Sequence, residues 1–287
     1  MNAEASSITW KDQFNDLVRS LTGAFLFGVP FIYTMEMWWI ATYMDVWKLL
    51  AFVTVALIVN IAFGRMIRSD QPQPLLGAVE EAIYNIAIGV IGALIVLLVL
   101  NRIRANDPLR EILAKVLLET IPLSIGAAVT KKAQKDRKRR REERPEEQKA
   151  GAPGQTWRLV FLHAGIALAG GLFLSFPLAS TEEIQLLAAG VTDWHMLAVV
   201  FFSILVTYMI IYRASLAPSW AGGEGKDPFP ILTNTLMTYS VALLGAVATL
   251  YLFDQVNLGD PFFFVLDQTL ILGLPATIGG AAGRHLL

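Results

Sequence analysis

Apolar residues in this chain come in runs of about twenty, rather than in the narrower stripes that mark one buried face of a soluble helix. Eight such runs lie at roughly 21 to 40, 48 to 67, 80 to 100, 109 to 129, 158 to 178, 194 to 213, 232 to 253 and 261 to 282. About 20 helical residues cross the hydrocarbon of a bilayer, so the pattern predicts eight transmembrane helices. The fourth run also holds Glu111, Lys115 and Glu119, and the eighth holds Asp267 and several glycines. Ahead of the first, Trp10, Phe14, Leu17 and Leu21 recur at near-helical spacing with Lys11, Asp12 and Arg19 between them. That arrangement predicts a short helix within residues 1–20, lying on the inner membrane surface.

The pattern is written twice. A shift of 147 positions carries Trp10 onto Trp157, Gly23 onto Gly170, Pro30 onto Pro177, Thr34 onto Thr181, Glu36 onto Glu183 and Trp47 onto Trp194. Beyond residue 70 a shift of 153 carries Gly92 onto Gly245, Asp107-Pro108 onto Asp260-Pro261, and the segment Ile121 to Gly126 onto Leu274 to Gly279. The change of shift places a six-residue insertion in one loop of the second copy. Self-similarity at a fixed period predicts two copies of one unit, residues 21–130 and 156–287, joined by a linker over 131–155. Four spans per copy insert both in the same direction. The expected fold is therefore an all-α polytopic membrane protein, eight transmembrane helices in two parallel four-helix repeats around a pseudo-twofold axis along the membrane normal.

Composition agrees, since 55% of residues are hydrophobic and 16% charged, against about 25% charged in soluble domains. The chain has no cysteine, which excludes disulfides, thiolate metal sites and cysteine nucleophiles. His163, His195 and His285 have no metal-ligand spacing, and no nucleotide-binding or hydrolase motif occurs. No enzyme activity, cofactor or metal is expected. The first residues lack the basic region and cleavage site of a signal peptide. Between the copies, Lys131 to Arg141 carries a dense basic run followed by acidic residues. Positive charge favours the cytoplasmic side, so the linker and both termini are expected there, with Arg102, Arg104 and Arg110 on the outer side against the rule. No aromatic residue interrupts the basic run, which suits a solvated tether rather than a nucleic-acid surface.

Candidate chemistry lies inside the spans. Each copy opens with Pro, then Thr four residues on and Glu six residues on: Pro30, Thr34 and Glu36, then Pro177, Thr181 and Glu183. Proline leaves the carbonyl four residues earlier without its helical donor, and in lipid that carbonyl needs another partner. Glu36 and Glu183 are expected to face one another across the axis as an outer cation or proton site. The last span of each copy carries Pro-x-Ser/Thr-Ile-Gly, with Pro122, Ser124 and Gly126, then Pro275, Thr277 and Gly279. This element predicts either a helix break that exposes ion-binding carbonyls or close helix packing through small residues. Glu119 and Asp267 stand before these prolines as intramembrane carboxylates, with Lys115 one turn from Glu119 as a neutralising partner.

The segment Gly23-Ala-Phe-Leu-Phe-Gly-Val-Pro-Phe-Ile-Tyr-Thr-Met-Glu-Met-Trp-Trp39 resembles the first span of a family of bacterial integral membrane proteins of unknown function. The resemblance implies a bacterial inner-membrane location and carries no activity with it. The expectation from the residues is a cation or proton channel or transporter with its pathway between the repeats. The alternative is a non-transporting scaffold or subunit of a membrane complex. The lipid bilayer, a transported cation or proton and a second copy of the chain are the expected partners, and nucleic acid is not.

Overall fold

The structure, a computed structural model, describes residues 10–66, 74–143, 156–215 and 231–286. Within them the chain is helical: α1 (Trp10–Ile32), α2 (Met35–Tyr43), α3 (Val46–Met66), α4 (Leu75–Val99), α5 (Leu109–Glu143), α6 (Thr156–Ala179), α7 (Glu183–Gly190), α8 (Asp193–Ser215), α9 (Ile231–Leu252) and α10 (Phe262–Leu286). Six are individually long and apolar enough to cross a membrane, and the count reaches eight if α1 with α2 and α6 with α7 are each one span. Those pairs bend sharply, by 76° and 88°.

The bends follow from local chemistry. Pro30 and Pro177 lie inside the last turns of α1 and α6, and each helix stops two residues later. The Thr34 hydroxyl then donates to the Phe31 carbonyl at 2.6 Å, and Thr181 donates to Leu178 at 2.8 Å. Each threonine closes the turn that the helix abandons. The segment expected to lie on the membrane surface is not separate: from Trp10 onward it forms the first turns of α1, and residues 1–9 lie outside the described residues. The linker likewise begins as a continuation of α5 to Glu143, with 144–155 outside the described residues.

In each half the last helix is the hub. α5 packs on α1, α2, α3 and α4, and α10 packs on α6, α7, α8 and α9. The closest crossing is made by glycine on both helices. A Cβ on Gly23 would come 2.7 Å from the Gly126 carbonyl oxygen, and one on Gly170 would meet the Gly279 carbonyl. α5 and α10 run through Pro122 and Pro275 without interruption. Of the two readings of this element, a break or close packing, the uninterrupted helices and the close glycine approaches favour packing.

The turn after α4 recurs after α9. Asn101 and Asp254 take positive φ, 54° and 61°, a conformation that asparagine and aspartate tolerate better than most residues. Arg102 N–H then reaches the Leu97 carbonyl at 2.8 Å, and Gln255 N–H reaches Leu250 at 2.9 Å. Asp107 and Asp260 accept from the backbone N–H groups of Arg104 and Asn257 at 2.9 and 2.7 Å. These bonds close the helix ends in the pattern of a Schellman cap.

Contacts between the halves do not follow the expected twofold. α1 packs on α8 and α10, and α4 on α8, with Phe25 edge-on to Phe202 at 5.2 Å between ring centroids. A twofold would seat α6 against α3 and α5 in the same way, and no comparable packing joins them. The halves meet through different faces.

Candidate functional site

The site begins with a buried carboxyl group that has no partner. Glu119 is fully buried on α5, and neither carboxylate oxygen has a hydrogen-bond partner among the described residues. One turn along, Leu123 fills the space that Gly28 and Gly92 leave open on α1 and α4; a Cβ on Gly92 would lie 2.9 Å from its Cδ2. This packing locks α5 between α1 and α4 and keeps Glu119 away from solvent.

Lys115 does not neutralise Glu119. Its amine pairs with Glu111 at 2.5 Å, stands 3.9 Å from Asp107, and donates to the Arg102 carbonyl at 2.9 Å. The side chain is drawn to the polar end of α5, where two carboxylates and a carbonyl satisfy it better than one carboxylate deeper in. The predicted Lys115–Glu119 pair is thus replaced by a Lys115–Glu111 pair. The other expected outer bases are engaged locally too. Arg110 donates to the Met44 carbonyl at the end of α2 at 2.9 Å, and the Arg102 guanidinium lies 4.9 Å from the Trp38 ring centroid. Burial lowers the pKa of Arg102, with nearby Arg104 adding to the effect.

Buried amides accompany Glu119 in the first half. Asn60 on α3 donates to its own helix at Ala56 (2.9 Å) and to Ser124 on α5 (3.2 Å), while its carbonyl oxygen has no partner. Asn85 on α4 is buried with its carbonyl oxygen equally unpaired. The corresponding positions of the second half hold Thr207, Thr238 and Thr277, all buried. Thr207 and Thr277 satisfy themselves on their own helices, donating to Ser203 and Leu274. At the positions of Asn60 and Asn85 the second half therefore has threonines, its buried amides being Asn234 and Gln268 elsewhere, and it has Leu272 at the position of Glu119.

The other predicted residues fall in scattered places. Glu36 on α2 is exposed. Glu183 opens α7 half-buried, with Oε2 enclosed and unpaired. Each short helix packs on the last helix of its own half, which gives no support to a shared carboxylate site on an axis. Asp267 is half-exposed on α10, whereas its neighbour Gln268 is the enclosed residue, with both amide atoms unpaired. Ser124 and Thr277 cap the turns at Ile121 and Leu274. Asn60, Asn85 and Gln268 were not singled out from the sequence. The available signal was an amide inside a run of about twenty apolar residues, which is costly in lipid without a partner.

The chain matches the DUF2391 family of integral membrane proteins over residues 16–287, and it belongs to that family. No curated protein and no solved structure matches it.

Proposed function

We propose that this member of the DUF2391 family is a membrane transport protein that moves protons, with Glu119 as the carrier carboxylate. The observation behind the reading is the burial of Glu119 in a membrane-length helix without a counter-ion. A charge at the bilayer centre costs about 2.5 to 3.5 kcal/mol on insertion scales, a cost that selection retains chiefly where the group acts. One carboxylate suffices to take up and release a proton. A dehydrated cation such as calcium takes about six to eight oxygen ligands, and no metal-holding cluster of acidic or histidine side chains occurs among the described residues. Asn60 and Asn85 supply unpaired carbonyl oxygens in the same half, where they can accept hydrogen bonds from water.

The reading includes an internal duplication. It is supported by the 147- and 153-residue shifts, by the two bends, and by the recurrence of the positive-φ turns. Two parallel four-helix repeats then place the basic linker and both termini together, on the cytoplasmic side of the bacterial inner membrane. The second repeat, with Leu272 in place of Glu119, acts as scaffold to the first.

Purified protein in liposomes, challenged in turn with proton, sodium, potassium and calcium gradients, tests the proposal. Proton flux in the wild type that falls at least about tenfold in Glu119→Gln is the expected result. No flux above empty liposomes under any gradient favours the alternative, a non-transporting membrane scaffold or complex subunit.

A further inference from the structure

The two halves dock head to tail, and the equivalents of the docked faces are left open, one on each half. In the first half, α1 and the turn after it bury Val18, Phe25, Val29 and Tyr33. Their counterparts on α6 and the turn after it, 147 residues on, are Gly165, Leu172, Phe176 and Ser180, and this face is largely uncovered: Val29 is 0% exposed where Phe176 is 56% exposed. The seat shows the same contrast. Phe202 on α8, against which α1 packs, is 6% exposed, and its counterpart Val55 on α3 is 54% exposed.

The uncovered seat is a groove. It encloses about 520 Å³, wholly apolar, with Phe31, Phe52, Leu118, Ile121 and Ile125 among its lining. The counterparts of these five in the second half are Leu178, Val199, Ile271, Leu274 and Ile278, all buried. In that half Tyr33 of α1 supplies the hydrogen bond to Ile271. The groove is thus the equivalent of a seat that this chain fills with its own α1, and the helix equivalent to α1 presents an open face.

We infer that the groove formed by α1, α2, α3 and α5 receives α6 of a second copy of this chain, repeating between chains the contact that α1 makes with α8 and α10 within one. The inference rests on the duplication proposed above. A heterologous contact between parallel subunits in one membrane generates a ring about the membrane normal when its rotation closes, the smallest such ring holding two chains. Lipid tails are as apolar as the groove, so shape and helix packing decide its occupant, not the hydrophobic effect. The internal precedent shows a helix of matching register filling that shape.

The absence of cysteine makes the test direct. Leu172→Cys and Val55→Cys are the counterparts of the Phe25–Phe202 pair. In membranes treated with a short thiol-to-thiol cross-linker, the double variant is expected to give covalent dimers and a ladder ending at the ring size. Each single variant is expected to give none, because the contact needs both faces. Native mass spectrometry of the wild type should show that same size. Gly165→Phe, at a position with nothing within 4 Å of a Cβ, should leave the chain folded and monomeric. A double variant that stays uncross-linked, with a monomeric wild type, overturns the proposal and leaves lipid in the groove. Single variants that cross-link as well as the double overturn it in favour of a face paired with itself. A Phe25→Cys/Phe202→Cys control should close within one chain, so a double variant that fails to cross-link while this control closes overturns the ring alone and leaves the duplication, which rests on the sequence shifts, untouched.

Discussion

The Tyr33 hydroxyl donates a 2.6 Å hydrogen bond to the Ile271 carbonyl, which is the carbonyl that Pro275 leaves without its helical N–H partner. The bond ties α1 to α10 across the two halves, and it uses a carbonyl that could otherwise have served an ion. Tyr33→Phe should therefore destabilise the fold by about 1 to 3 kcal/mol, the cost of leaving a buried acceptor unpaired. Pro275→Ala restores the missing donor, so Tyr33→Phe should cost less in that background. Thermal unfolding of the four proteins in detergent, taken as a double-mutant cycle, should give a coupling of at least about 0.5 kcal/mol.

The N-terminal end of α5 gives a second prediction. Because Lys115 pairs with Glu111, a cycle of Lys115→Met with Glu111→Gln should show coupling of about 0.5 to 3 kcal/mol. The same cycle with Glu119→Gln should show coupling within about 0.5 kcal/mol of zero, as for groups that do not share a partner. Equal coupling in both cycles would restore the pair expected from spacing alone.

Glycine contacts should rank by what surrounds them. Gly279→Ala forces a methyl onto the Gly170 backbone and should cost about 1 to 3 kcal/mol or prevent folding. Gly259→Ala, with nothing within 4 Å, should stay within about 0.5 kcal/mol of wild type. Chemical or thermal unfolding in micelles measures both.

Much of the frame was legible in the sequence. Runs of twenty apolar residues marked the long helices, and the paired glycines marked where they cross, because both signals depend on one helix and its immediate neighbour. The prolines at 30 and 177 marked real helix ends. Those at 122 and 275 do not, since α5 and α10 continue through the missing bond, and Tyr33 serves the carbonyl freed by Pro275. Which faces of the two halves meet was not legible. Repetition makes α1 and α6 look alike, and only the structure distinguishes a buried Phe25 from the more open Leu172. Partner choice was equally hidden: Lys115 has a glutamate one turn away on either side, and the polar loop at Arg102 and Asp107 decides between them.

Glu119 carries the account, and its chemistry can be read without a substitution. A hydrophobic carbodiimide reacts with carboxyl groups held in apolar surroundings, so protein in liposomes under a proton gradient can be treated with it while flux is followed and the modified residue is located by peptide mass spectrometry. The account predicts that proton flux stops as Glu119 becomes labelled, with Glu36 unmodified. Flux that persists at full labelling of Glu119, or that stops while Glu119 remains unlabelled, would contradict it.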